Sequence, residues 1–257
     1  MPAVPEYEIY AMKYAERQAD LSTFMMTAEP GRETITIDYF VWLLQGGAEP
    51  VVIDTGFTPQ IAQAHRRKYL ASPAEQLRKL GVDAADVKKV LITHLHWDHF
   101  GGFRLFPNAT FYLQTKEYQY WTGPVMRFRA AQNLVEAGDM AELVRLNMQG
   151  RVRFVDGIEA VVPGISLHYV GGHTAGIQVV RVNTKQGHAV VASDASHLFR
   201  NVEENTPANL ITNLPEMFSA FDAIRDLSSG RDLWFPGHDP AVLQRFPTQQ
   251  ADIGYLK

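Results

Sequence analysis

Seven consecutive residues, Thr93-His94-Leu95-His96-Trp97-Asp98-His99, place three imidazoles and a carboxylate within six positions, directly after the apolar run Val90-Leu91-Ile92. Neutral imidazole and carboxylate oxygen are donors that suit zinc and related divalent cations. Such density brings no advantage in packing. Four polar groups at the end of a buried strand each need a partner or carry a desolvation cost, and a metal ion partners all of them at once. The alternative is a solvated His-rich turn, and the specificity of the motif argues against it.

Four further residues follow apolar or Gly-rich stretches. They are His173 in Gly171-Gly172-His173-Thr174-Ala175-Gly176, Asp194 after Val190-Val191-Ala192-Ser193, His238 in Phe235-Pro236-Gly237-His238-Asp239, and Asp54 after Val51-Val52-Ile53. The recurring order is strand, short loop, donor, which is how a rigid scaffold presents a site on loops. His94 and His96 alternate with Leu95, so an extended backbone turns both to one side. Asp98 and His99 come after a turn and reach a second position. Two cations a few ångströms apart need an anion between them, and Asp194 is available for it. Asp54 reads as an anchor that accepts hydrogen bonds and orients the loop, rather than as a ligand.

The elements that must carry these loops are legible from periodicity. Ile37–Leu44 and Val51–Ile53 read as strands joined by a Gly-Gly and Pro turn. Two helices are expected between Thr58 and Leu80, with Pro59 and Pro73 in their first turns. Val90–Ile92 and Thr110–Leu113 read as strands, and residues 115–149 as helical with an interruption at Gly123-Pro124. Strands follow over Ile165–Val170, Gln178–Asn183 and His188–Ser193, then a helix over Pro215–Leu227 and a last strand over Asp232–Phe235.

Bulk composition narrows the function. The hydrophobic fraction of 46% and charged fraction of 20% are those of a globular protein. A net charge of −4 with no basic block speaks against a nucleic-acid partner. Absence of cysteine removes disulfides, thiolate ligands and a cysteine nucleophile. Neither a signal peptide nor a membrane span is visible, so the expectation is a soluble, cytoplasmic protein without membrane partners.

From Asp54 to His238 these motifs resemble, in kind and order, the metallo-β-lactamase superfamily. The resemblance implies an α/β fold, an αββα four-layer sandwich of two packed mixed β-sheets flanked by helices. Residues 1–257 would form a single metallo-hydrolase domain with a helical insert at about 115–149. It also implies two divalent metal ions, zinc in the first instance, with iron, manganese or cobalt as alternatives. His94, His96 and His173 would hold one ion, Asp98, His99 and His238 the other, and Asp194 would bridge them. Such a pair lowers the pKa of bound water from ~15.7 towards ~7. The implied reaction is hydrolysis by attack of a metal-bound hydroxide, with Asp98 as a candidate for proton transfer to the leaving group.

Details choose among the reactions that one fold hosts. His94-x-His96-x-Asp98-His99 lacks the Glu of the flavin-partnered di-iron members. Asp194 stands where antibiotic-degrading members carry Cys or no bridging carboxylate. Only 19 residues follow His238 in the 257-residue chain, too few for the helical C-terminal domain of glyoxalase II. What remains is similar to the lactonase branch, which implies opening of an N-acyl-homoserine lactone by a monomer or homodimer. One departure stands out: three residues after the bridging Asp that branch usually has a substrate-contacting Tyr, and here it is His197. Imidazole donates the same kind of hydrogen bond, so His197 is a catalytic candidate, with a site-wall role as the alternative. Other readings are a hydrolase of another lactone, aryl ester or phosphotriester, a mononuclear iron sulfur dioxygenase, and a non-catalytic binding fold.

The remaining histidines have plainer readings: His65 on a solvated helix face, His168 within a strand, and His188 at an exposed strand start. Phe24-Met25-Met26 suggests core packing or a lid over an acyl chain. Trp121, Met126 and Phe128 carry the same choice.

Overall fold

Along the strand Thr34–Gln45, Phe40, Trp42 and Leu44 face one apolar cluster while Tyr39, Val41 and Leu43 face another. Alternation of period two with both faces apolar marks a strand covered on both sides. The computed structural model, which describes residues 3–230, 232–246, 248–250 and 252–256, places this strand near the middle of a large mixed sheet. Its strands in chain order are β1 (Glu8–Asp20), β2 (Thr34–Gln45), β3 (Val51–Ile53), β4 (Lys68–Tyr69), β5 (Lys89–Leu91), β6 (Thr110–Gln114) and β7 (Val152–Val155). A second sheet follows, of β8 (Ile158–Val162), β9 (Ile165–Tyr169), β10 (Gln178–Thr184), β11 (Gly187–Ser193) and β12 (Trp234–Pro236). The chain then returns to the first sheet through β13 (Thr248–Gln250) and β14 (Ile253–Leu256).

The first sheet runs β13-β14-β1-β2-β3-β5-β6-β7 with β4 paired to β1, and the second runs β12-β11-β10-β9-β8. Trp42, Ile53 and Leu91 from the first sheet meet Val180, Val191 and Phe235 of the second in one buried cluster. Helices cover the outer faces. Thr58 and Ser72 cap the helices Pro59–Ala64 and Pro73–Lys79 with side-chain acceptors. Met217, Ala220, Phe221 and Ile224 turn the inner stripe of the helix Leu214–Leu227 onto the second sheet's cluster. Two mixed sheets flanked by helices make the αββα sandwich that the sequence implied.

Strands β3, β5, β6 and β7 are parallel neighbours, as are β11 and β12. Loops at the carboxyl ends of parallel strands are where such sheets hold their ligands. Asp54 leaves β3, the Thr93–His99 segment leaves β5, Asp194 leaves β11 and His238 leaves β12. Two of these exits are strained. Asp54 has φ of 60° and Ser193 has φ of 48°, a region that costs a non-glycine residue about 1–2 kcal/mol. The Asp54 side chain provides the compensation described below, and Ser193 Oγ lies within hydrogen-bond reach of Thr93 Oγ1 at 3.0 Å.

Sequence periodicity located β2, β3, β5, β6 and β9 to β11 within one to three residues. It missed β1, whose sequence EIYAMKYAERQAD mixes charged residues into a long strand, and it missed β4, β7, β8, β13 and β14. The segment between β6 and β7 is helical as expected, in pieces Thr115–Trp121, Pro124–Arg127, Arg129–Gln132 and Ala137–Met148. Among the described residues, no helix is long and apolar enough to cross a membrane.

Candidate metal centre

Asp54 fastens the His-rich segment. Its Oδ1 accepts from the Thr93 backbone N–H at 2.8 Å, and its Oδ2 accepts from Thr93 Oγ1 at 2.8 Å and from His99 Nδ1 at 2.8 Å. These bonds explain why the left-handed turn at Asp54 persists. Asp98 and His99 then lie in a single helical turn, Trp97–Phe100, held by Tyr14, whose hydroxyl donates to the Asp98 carbonyl at 2.8 Å.

All seven proposed ligands converge. His94 Nε2 and His173 Nε2 each lie 3.1 Å from His96 Nδ1. Asp194 Oδ2 faces this trio, 3.3 Å from His173 Nε2 and 3.7 Å from His94 Nε2. Its other oxygen, Oδ1, faces a second group, 3.1 Å from His238 Nε2 and 3.3 Å from His99 Nε2. Asp98 Oδ2 completes that group at 3.7 Å from His238 Nε2 and 3.8 Å from His99 Nε2. A tetrahedral ion with donors at about 2.0–2.1 Å separates those donors by about 3.3 Å, so the spacing fits.

Three of the imidazoles are locked by their outer nitrogen. His99 Nδ1 donates to Asp54, His173 Nδ1 to the Leu210 carbonyl at 2.7 Å, and His238 Nδ1 to the Asp38 carbonyl at 2.9 Å. Each lock leaves Nε2 as a lone pair turned inward, the arrangement found around metal-bound histidine. Among the described residues His99 Nε2 and Asp194 Oδ1 are buried without a hydrogen-bond partner. Leaving both polar atoms unpaired is costly, and a divalent cation satisfies both. The residues present therefore fit a metal. Gly237 is needed for this approach, since a Cβ there would come within 2.3 Å of Asp194 Oδ1.

Electrostatics divide the imidazoles into two sets. Burial, with the neighbouring imidazoles, holds His94 and His96 well below the usual histidine range, and burial brings His173 down to about 3. For His99 and His238 burial pulls the same way, but Asp194 and Asp98 outweigh it and raise them. Burial likewise works against the Asp194 carboxylate, yet His238, His99 and His197 keep it well below its ordinary value. The signs predict the behaviour of chelator-treated protein. Below pH 6.5 the unfolded chain takes up protons that the lowered imidazoles refuse, so stability falls with pH. Above 6.5 the stabilisation from the raised pair is lost as pH passes through their folded pKa. Thermal melts between pH 5 and 8 should show a maximum near 6.5, with a slope on the acid side of about 1.4 kcal/mol per pH unit for each uncompensated proton. A flat profile would contradict this assignment.

Sequence reasoning missed Glu117, which is fully buried beneath the centre. Its Oε1 accepts from Leu95 N at 2.9 Å and Trp121 Nε1 at 2.7 Å, and its Oε2 from Thr174 Oγ1 at 2.7 Å and Gly176 N at 2.8 Å. One carboxylate thus ties the His94–His96 segment to the His173 loop. An acid four residues before a Trp in a helical stretch was the available signal.

The reading of His65 is corrected. It is not a solvated face: its ring stacks on Trp97 with centroids 3.9 Å apart, and its Nε2 meets Glu136 at 2.9 Å. His168 lies in β9, hydrogen-bonded to Ser166, and His188 is half-buried at the start of β11. Met25 is buried in the core and Met26 is exposed. His197 reaches the centre, with Nε2 3.2 Å from Asp194 Oδ2 and its ring edge-on to Phe24. A cavity of about 220 Å³ opens onto His96, Asp98, Asp194, His197 and His238. Of the apolar residues considered as an acyl-chain lid, only Phe24 lines it; Met25, Met26, Trp121, Met126 and Phe128 do not.

A divalent-metal site at the loop edge of an αββα sandwich, with an open cavity over it, defines a metal-dependent hydrolase. Residues 38–244 match the model of the metallo-beta-lactamase superfamily, and the chain belongs to that family. Its relatives include an N-acyl homoserine lactonase of Bacillus cereus, 27% identical over 238 residues that cover 86% of this chain and 85% of that one. A shorter match, 52% identical over 46 residues and 18% of each chain, is to the N-acyl homoserine lactonase AttM of Agrobacterium fabrum. Among solved structures, a quorum-quenching N-acyl homoserine lactone lactonase superposes with a TM-score of 0.78 at 21% identity, covering 96% of this chain and 98% of that one. AidC, a dizinc quorum-quenching lactonase, superposes with a TM-score of 0.74 at 16% identity, covering 99% and 95%.

Proposed function

We propose that the protein is a dinuclear lactonase that hydrolyses the ester of a lactone ring. The observation that carries this reading is the bridging pose of Asp194, whose two oxygens face two separate sets of donors at 3.1–3.7 Å. His94, His96 and His173 would hold one ion, Asp98, His99 and His238 the second. A divalent pair bound there supplies Lewis acidity for the ester carbonyl and a water acidified to near neutrality. Zinc suits this all-imidazole and carboxylate set, as do iron, manganese and cobalt.

The chain's own groups divide the remaining work. His197, buried beside Asp194, is placed to donate a hydrogen bond to the substrate carbonyl oxygen, the role that a Tyr hydroxyl has in the lactonase branch. Asp98 is the less buried of the two carboxylates, with 13% of its side chain exposed towards the cavity. It is positioned to carry a proton to the alkoxide leaving oxygen. Phe24 and Trp97 wall the cavity and limit water beside the reacting ester.

The test is proton release by metal-loaded protein against N-acyl-homoserine lactones of short and long chain, plain γ- and δ-lactones, an aryl ester and a thioester. Opening of one or more lactones, with two ions per chain by elemental analysis, is the expected result. One iron per chain with oxygen consumption would favour the dioxygenase instead. Silence on every lactone would end the lactonase reading.

A further inference from the structure

Two arginines help to line the cavity above the centre. Arg17 projects from β1 and Arg67 from the loop between the helix Pro59–Ala64 and β4. Both are only partly exposed. Among the described residues neither forms an ion pair, and theirs are the buried arginine Nε atoms that lack a hydrogen-bond partner. Each is held in place without being neutralised. The Arg17 guanidinium lies 5.5 Å from the Phe24 ring centre and Arg67 lies 5.3 Å from that of Trp97. Arg67 Nη1 also donates to the His65 carbonyl, and its backbone N–H donates to Ala62 O at 2.8 Å. The Tyr39 hydroxyl interacts with both guanidiniums.

Two like charges set beside each other in a half-buried cavity repel, and Arg17 and Arg67 are within mutual electrostatic reach. The acids nearby are already engaged. Glu136 pairs with His65, and Asp98 and Asp194 belong to the metal centre. A guanidinium fork with unused donors matches a carboxylate in shape and charge. The cavity is also small, about 220 Å³, against the 300–1,000 Å³ usual for drug-sized ligands, and Met25 and Met26, whose side chains would have suited a long acyl chain, do not line it.

We infer that Arg17 and Arg67 form an anion subsite beside the metal centre, so that the preferred substrate is a compact lactone bearing a carboxylate. This rests on the lactonase reading for the reaction, though not for the binding. The carboxylate would sit between the two guanidiniums, with the ring carbonyl directed at the metals and His197.

Two probes that differ in charge alone, the γ-lactone of 2-hydroxyglutarate and its carboxamide, test the substrate. Calorimetric titration of metal-loaded protein with glutarate tests the subsite independently. Wild type should prefer the carboxylate, and Arg17→Gln and Arg67→Gln should each cut that preference, as the ratio of kcat/KM values, by roughly 10–100-fold. The double variant should bind glutarate at least about tenfold more weakly. Arg17→Lys and Arg67→Lys, which keep the charge, serve should a Gln variant fail to fold; they should retain part of the preference. If carboxylate and amide are opened equally, or the variants slow both alike, the subsite is refuted while the lactonase reading stands. If no lactone is opened, the lactonase reading falls, and glutarate decides: equal affinity in wild type and double variant refutes the subsite, weaker binding in the variant supports it.

Discussion

Asp194→Ala should reduce the proposed lactone opening by at least about 10³-fold in kcat/KM, equivalent to about 4 kcal/mol of barrier, and should lower the proposed complement of two ions per chain to one or none. The carboxylate faces both donor sets at once, with Oδ2 towards His94 and His173 and Oδ1 towards His99 and His238. Its removal leaves two clusters of buried imidazoles with no anion between them. Each of the two proposed ions would then lose a ligand, and the repulsion between two divalent charges would no longer be offset. Elemental analysis of dialysed protein measures the first effect and proton release the second. A variant that keeps two ions and turns over within tenfold of wild type would refute the bridging role.

Glu117→Gln should be the most damaging change outside the ligands themselves. All four donors to Glu117 need an acceptor, and a carboxylate offers two. Glutamine offers one oxygen, and its amide nitrogen confronts either Leu95 N and Trp121 Nε1 or Thr174 Oγ1 and Gly176 N. Thr174 could rotate to accept; Gly176 N could not. One or two buried N–H groups left unmatched cost about 1–3 kcal/mol each, a fall in Tm of roughly 2–24 °C at about 2–4 °C per kcal/mol. Metal affinity should fall about 10–100-fold, as for other residues that orient ligands from behind. Melting curves and competition with a chelator read the two effects. An unchanged Tm and unchanged affinity would mean that the four contacts carry no weight.

The legible part of this protein was local. His94, His96, Asp98 and His99 stand in one short run, and His173, Asp194 and His238 each follow an apolar strand, so type and spacing were enough to nominate them. The αββα sandwich was legible through the family resemblance that these motifs carry, with strands in both halves and helices between them in agreement. What stayed hidden depends on contacts between distant segments. β1 carries Lys13 and Glu16 because its neighbours supply partners for their charge, Asp38 to Lys13 at 2.8 Å and Lys68 to Glu16 at 2.6 Å; alone it resembles no buried strand. Arg17 and Arg67 lie 50 residues apart and become a pair only around Tyr39. His65 read as solvated because Trp97 and Glu136, which enclose it, are remote in sequence. Glu117 went unnominated because Leu95, Thr174 and Gly176, which it ties together, are remote from it in sequence.

The donors are shared between the sheets: His94, His96, Asp98 and His99 follow β5 of the first, while His173, Asp194 and His238 sit on loops of the second. On the proposed assignment each ion would draw ligands from both layers and act as a rivet through the seam between them. Metal uptake and the docking of the two sheets become one linked equilibrium, in which any agent that binds only the joined form strengthens the join by its own binding free energy. The free metal concentration around this chain would then set more than how many active sites are loaded. It would also set how often the sandwich comes apart.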